Sequence, residues 1–211
     1  MPVLTTLGAA PARGFGRGGG GRVYPATSTF ALIQHTALTS SQTSISFLDL
    51  NLNYTDLYLI VNARTDYASA KDQLLIQMNS DANSSNYSSG YNIYDGTNAS
   101  GNWYGTRTIT TPGMKFAGLT GANATGTLRG LLEIDFINFS SSSANKTVIA
   151  EGGMTDLNST SPNATVGSFA GNWYNTNACS SITLKPVSGT NFVSGSTFTL
   201  YGITRYGGYG S

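Results

Sequence analysis

Three acids in this chain are placed to act together: Glu133 and Asp135, two residues apart, and Glu151 on the next apolar segment. Two carboxyls about 5–10 Å apart are the equipment of glycoside hydrolysis, one as proton donor and the other as base or nucleophile. On a strand the same pair can share a cation. Residues i and i+2 of a strand point to one face, so the spacing suits either chemistry. Catalysis also needs a pocket that excludes water and raises one carboxyl's pKa, and a flat sheet face supplies none. The expectation is therefore a solvent-facing polar side of a sheet, with Arg129 or Lys146 as counter-charge. No enzyme, no cofactor and no metal site is expected.

The aromatic residues offer a second chemistry. Both tryptophans sit in an echoed tetrapeptide, Gly101-Asn102-Trp103-Tyr104 and Gly171-Asn172-Trp173-Tyr174. Flat rings beside amides suit sugar stacking, and Tyr and Trp are also enriched between subunits. Trp103, Tyr104, Trp173 and Tyr174, with Tyr91 and Tyr94, are the candidate contacts for a glycan or a neighbouring copy. The subunit contact is the expectation placed first.

Other chemistries are excluded by count. Cys179 is the only cysteine and His35 the only histidine. No intrachain disulfide, thiolate zinc site or His cluster can be built. Asp81-Ala82-Asn83 opens like a calcium loop but lacks the glycine and the closing glutamate. A formal net charge of +1 gives no bulk case for nucleic acid or an anionic membrane. No apolar run reaches the ~18 residues needed to span a bilayer, and the opening segment reads as too short for a signal peptide.

The elements that position these residues read as strands. Charged residues are only 10% of the chain, and Ser, Thr, Asn and Gly fill the polar positions. Alternating runs recur at 29–34, 45–50, 56–63, 73–78, 128–139, 147–151, 166–173, 182–185 and 198–203. Period two means one buried and one exposed face. The segments 182–185 and 198–203 read as a closing strand pair joined by a Gly-bearing turn. Residues 81–101 read as a long loop with a short hairpin near 91–94. Eight or nine strands without a helical period predict an all-β fold: an antiparallel β-sandwich of jelly-roll type over 23–205.

Residues 1–22 differ from the body. Arg13, Phe15, Arg17 and Arg22 stand among glycines with no acidic residue. Such a segment cannot bury enough apolar surface to order itself, so it reads as a docking arm. The glycyl-tyrosyl end, 206–211, reads as a flexible tail.

Two stretches resemble proteins of tailed-bacteriophage virions. Leu7-Gly8-Ala9-Ala10-Pro11-Ala12-Arg13-Gly14-Phe15-Gly16 looks like the short segment that opens many small tail-associated proteins. Gly195-Ser196-Thr197-Phe198-Thr199-Leu200-Tyr201-Gly202-Ile203 resembles the last strand of jelly-roll modules in tail fibres and other appendages. The resemblance implies a non-enzymatic virion structural protein, assembled in the host cytoplasm. It implies partners among tail or capsid proteins, with a tail-fibre or appendage subunit placed ahead of a capsid decoration (cement) protein. A carbohydrate-binding or glycan-hydrolysing β-sandwich is the remaining alternative. Low charge and many aromatics add the expectation of a homo-oligomer, a homotrimer first, with a host-surface glycan as a further contact.

Overall fold

The computed structural model describes residues 29–95, 102–106, 111–156 and 163–204, the segment 102–106 by its strand placement alone. Among them are twelve strands: β1 (Thr29–Ala37), β2 (Ile45–Phe47), β3 (Asp56–Ala63), β4 (Lys71–Met78), β5 (Tyr87–Asp95), β6 (Asn102–Thr106), β7 (Met114–Thr120), β8 (Gly130–Ile137), β9 (Lys146–Asp156), β10 (Asn163–Trp173), β11 (Ile182–Pro186) and β12 (Thr197–Thr204). One 3-10 turn, Ser84–Asn86, precedes β5.

The strands form two sheets, all pairs antiparallel. The large sheet runs β1-β12-β3-β8-β9-β10-β5-β6 and the small one β2-β11-β4-β7. Setting aside β5, β6, β9 and β10, the two orders are β1-β12-β3-β8 facing β2-β11-β4-β7. The chain changes sheet at every step except β4 to β7, which is the double Greek key of a jelly roll. The predicted all-β jelly-roll sandwich is the fold observed.

The core follows from alternation. Leu57, Leu59 and Val61 of β3, Leu132, Ile134 and Phe136 of β8, and Phe198 and Leu200 of β12 point inward from the large sheet. Leu74 and Ile76 of β4, Met114 and Phe116 of β7, and Ile182 and Leu184 of β11 meet them from the small sheet. Asp72 ties the sheet ends together. Its carboxylate accepts from Thr65 Oγ1 at 2.8 Å and from the backbone N–H groups of Gln73, Ser188 and Gly189. Buried carboxylates persist only when their lone pairs are filled in this way.

Several expectations are corrected. The closing segments 182–185 and 198–203 are not a hairpin: β11 lies in the small sheet and β12 in the large one. Their connector crosses between sheets, pinned by Asp66, which accepts from the N–H groups of Thr190 and Asn191. Residues 87–95 and 102–106 are paired strands rather than a loop. Their period was hidden because Ser89 shares the inward face with Tyr87. β7 gives no clear alternation, since almost every residue in Met114–Thr120 is buried. The Asn-Trp pairs of the two echoed tetrapeptides lie in β6 and β10 of the same sheet. Their tryptophans are not equivalent: Trp173 pairs with Tyr87 and Trp103 with Asn92.

Candidate functional site on the outer face of the large sheet

Strand register places three rows of outward residues across the middle of the large sheet. The first is Leu32, Tyr201, Tyr58, Asp135, Ile149, Ala170 and Gly90. The second is His35, Thr199, Ile60, Glu133, Glu151, Ser168 and Asn92. The third is Ala37, Thr197, Asn62, Leu131, Gly153, Val166 and Tyr94. Glu133 and Glu151 therefore stand directly opposite each other, with Asp135 one pleat along. Their predicted proximity holds. No Lys or Arg occupies these rows. Lys146 turns inward and is fully buried, and Arg129 donates to the carbonyls of Thr127 and Ser194. The expected counter-charges are thus not there, because Lys146 has the parity of Val148 and points to the core.

Directly opposed like charges destabilise a sheet pair. Tyr58 answers part of this. Its hydroxyl lies beside Glu133, and its pKa is raised to about 12, by burial first and then by Glu133. The phenol stays protonated, so it stays a donor. The acids edge a recess of about 140 Å³ lined by Tyr58, Glu133, Asp135, Ile149 and Glu151. It is too shallow to enclose a sugar ring, given the ~300 Å³ of a typical ligand pocket. Among the described residues no three His, Cys, Asp or Glu side chains are grouped to hold a metal ion.

Beside the acids lies an aromatic cluster from three neighbouring strands. Phe30 and Tyr201 have ring centroids 4.8 Å apart, Phe30 and Tyr58 5.5 Å, and Tyr58 and Tyr201 6.3 Å, all tilted. Phe30 and Leu32 are 57% and 60% exposed. With Tyr94, Leu131, Ile149 and Val166 they put six large exposed apolar side chains on one face. Sequence reading missed this cluster. Its signal was there in β3 and β12, where Tyr58, Ile60 and Tyr201 make the non-core face apolar as well.

The aromatic candidates separate. Trp173 is 1% exposed and is a core residue, so it has no ring face left for a sugar or a second subunit. Its Nε1–H donates to Asp81 Oδ2 at 2.7 Å, and the Lys146 ammonium sits 5.9 Å from its ring centroid. Tyr91 is half-buried, packed 6.3 Å from the Phe169 ring. Tyr174 is exposed near Ser88, whose hydroxyl donates to it at 3.1 Å, and Tyr94 is exposed on the outer face. The structure does not bring these together into one site. The side chains of Trp103 and Tyr104 lie outside the described residues, as do Arg13, Phe15, Arg17 and Arg22.

Lys146 and Cys179 are the other buried reactive groups. Lys146 Nζ donates to the carbonyls of Ala144 at 2.6 Å and Thr176 at 3.2 Å, and burial lowers its pKa. The Cys179 thiol is pushed up to about 12 by burial and donates to the Ser181 carbonyl. Neither faces a cavity, and both fasten the end of the sandwich. Set against protein-family models, curated proteins and solved structures, the chain matches none of them.

Proposed function

We propose that this chain is a non-enzymatic structural subunit of a tailed-phage virion, a tail-fibre or appendage protein that docks through residues 1–22 and assembles as a homo-oligomer. The observation that carries this reading is the outer face of the large sheet: six exposed large apolar side chains on a jelly roll with few charges. A face of that kind is an assembly surface. Fully burying one such side chain contributes ~1.5–3 kcal/mol, and these are already half covered. Six of them therefore give roughly 6 kcal/mol, near the lower end of the ~4–15 kcal/mol that association costs. The face favours assembly but does not secure it alone, so further contacts are required of a stable oligomer.

Charge decides the symmetry. A two-fold contact sets a patch against itself. Here that would confront Glu133, Asp135 and Glu151 with the same three acids. A ring joins two different patches and avoids the clash, which supports a trimer over a face-to-face dimer. Mass spectrometry of purified particles tests the reading: the chain is expected in them, at few copies per particle for a tail appendage and at many for a head decoration. Its absence from particles would refute a virion role.

A further inference from the structure

We propose that in the free chain the arginine-bearing segment 1–28 lies across the outer face of its own large sheet, with its guanidinium groups at Glu133, Asp135 and Glu151. The inference concerns the isolated subunit and stands apart from the virion reading.

Composition matches the face to the segment. The three outward rows hold three acids and no Lys or Arg. Residues 1–28 hold Arg13, Arg17 and Arg22, no acid, and the aromatics Phe15 and Tyr24. A guanidinium between Glu133 and Glu151 converts a repelling cross-strand pair into a bridged one, since its flat fork serves two carboxylates at once. The glycines at 18–21 carry no side chain to hold the backbone off the sheet.

Reach agrees. The segment joins the sheet at Thr29, the first residue of edge strand β1. Strands lie ~4.8 Å apart, so β8, three places in, is ~14 Å away and β9 ~19 Å. Glu133 lies a further ~13–16 Å along the strand direction, giving diagonals of ~20–25 Å. Arg22 stands seven residues before Thr29 and can reach ~23 Å at ~3.3 Å per residue. Arg17 can reach ~40 Å and so passes Glu151 with slack. Tethering also favours the chain's own face over a neighbour's, because a short linker gives a millimolar effective concentration.

The test places a photo-crosslinking amino acid at Phe15 in the full chain, mixed as isotope-labelled and unlabelled protein. Mass spectrometry then maps the crosslinked peptides. Capture within 130–137 or 146–151 of the same chain is expected. Glu133→Lys with Glu151→Lys should lower the yield about tenfold at low salt, as reversing two surface ion pairs does. Adding Arg17→Glu and Arg22→Glu should restore it. The milder Glu133→Gln/Glu151→Gln variant covers any folding defect of the reversals and should give a smaller fall. Capture elsewhere, capture only between labelled and unlabelled chains, or yields indifferent to both variants would overturn the proposal.

Discussion

Removing the Asp81 carboxylate should destabilise the whole sandwich, and the cost can be worked from its partners. Asp81 Oδ2 accepts from Trp173 Nε1 at 2.7 Å and from Asn86 Nδ2 at 2.8 Å, while Oδ1 accepts from the Asn83 N–H at 2.9 Å. In Asp81→Ala the Trp173 indole N–H stays buried without an acceptor, at about 1–3 kcal/mol, and the other two donors turn to water at less. We expect a total of ~2–4 kcal/mol, or about 5–15 °C in Tm for a chain of this length. The assay is a double-mutant cycle with Trp173→Phe, read by denaturant unfolding at pH 7. The phenylalanine background has no indole donor, so Asp81→Ala should cost about 1 kcal/mol there, leaving ~1–3 kcal/mol of coupling. A coupling under ~0.5 kcal/mol would refute the assignment. The effect also has a pH signature. Burial raises the Asp81 carboxyl, but hydrogen bonds from Asn86, Trp173 and Asn83 outweigh it and leave the pKa below its ordinary value. A folded pKa below the unfolded one contributes stability above roughly pH 4, and that contribution fades as pH falls through the folded value. The Asp81→Ala penalty should therefore shrink below about pH 4.

Three further outcomes are expected. Gly153→Ala should fail to fold or lose several kcal/mol, on the order of a severe core clash, because its Cβ would overlap the Thr165 carbonyl of the paired strand; a Tm within a few degrees of the parent would contradict the register. Cys179 should be inert to a thiol reagent at pH 8 in the folded chain and react fully in denaturant, since the buried thiol is pushed up to about 12; equal rates in both states would mean the end of the sandwich opens. Phe30→Ser with Leu32→Ser should lower self-association in sedimentation velocity at a cost of only several degrees in Tm, as both side chains are more than half exposed in the single chain while Phe30 still packs on Tyr58 and Tyr201; unchanged association would move the interface elsewhere.

Strand alternation carried most of the fold. In β3, β8 and β12 the hydrophobic period named the core-facing residues, and the opposition of Glu133 and Glu151 was anticipated from their neighbouring segments. Three features were not legible. β7 is buried on both sides, so it shows no period to read. Trp173 looked like a surface aromatic because its partner, Asp81, is 92 residues away in sequence and no local pattern announces it. The aromatic cluster joins Phe30, Tyr58 and Tyr201 from three strands that only the jelly-roll topology makes adjacent. In each case the missing information was non-local pairing, which a window along the chain does not contain.

The four strands outside the jelly-roll set explain why the outer face has the character it has. β5–β6 is inserted between β4 and β7, and β9–β10 between β8 and β11, and all four join the large sheet. That sheet outgrows its partner. β7 covers the inner side of the extension: Phe116 packs 5.7 Å from the Phe169 ring, and Met114 fills the space over Gly171. The outer side is left open, and the insertions supply Tyr94, Ile149 and Val166, half of its large apolar residues, together with Glu151. Without them Glu133 would face no second carboxylate and the apolar strip would end at β8. The same strands bury Val148, Phe169 and Trp173 in the common core, so the insertions cannot be cut away without unfolding the rest. Substitutions of the outward side chains Tyr94, Ile149 and Val166 are therefore the clean probes. A role that resides on this face predicts that they alter association while sparing stability, and their inward neighbours should do the reverse.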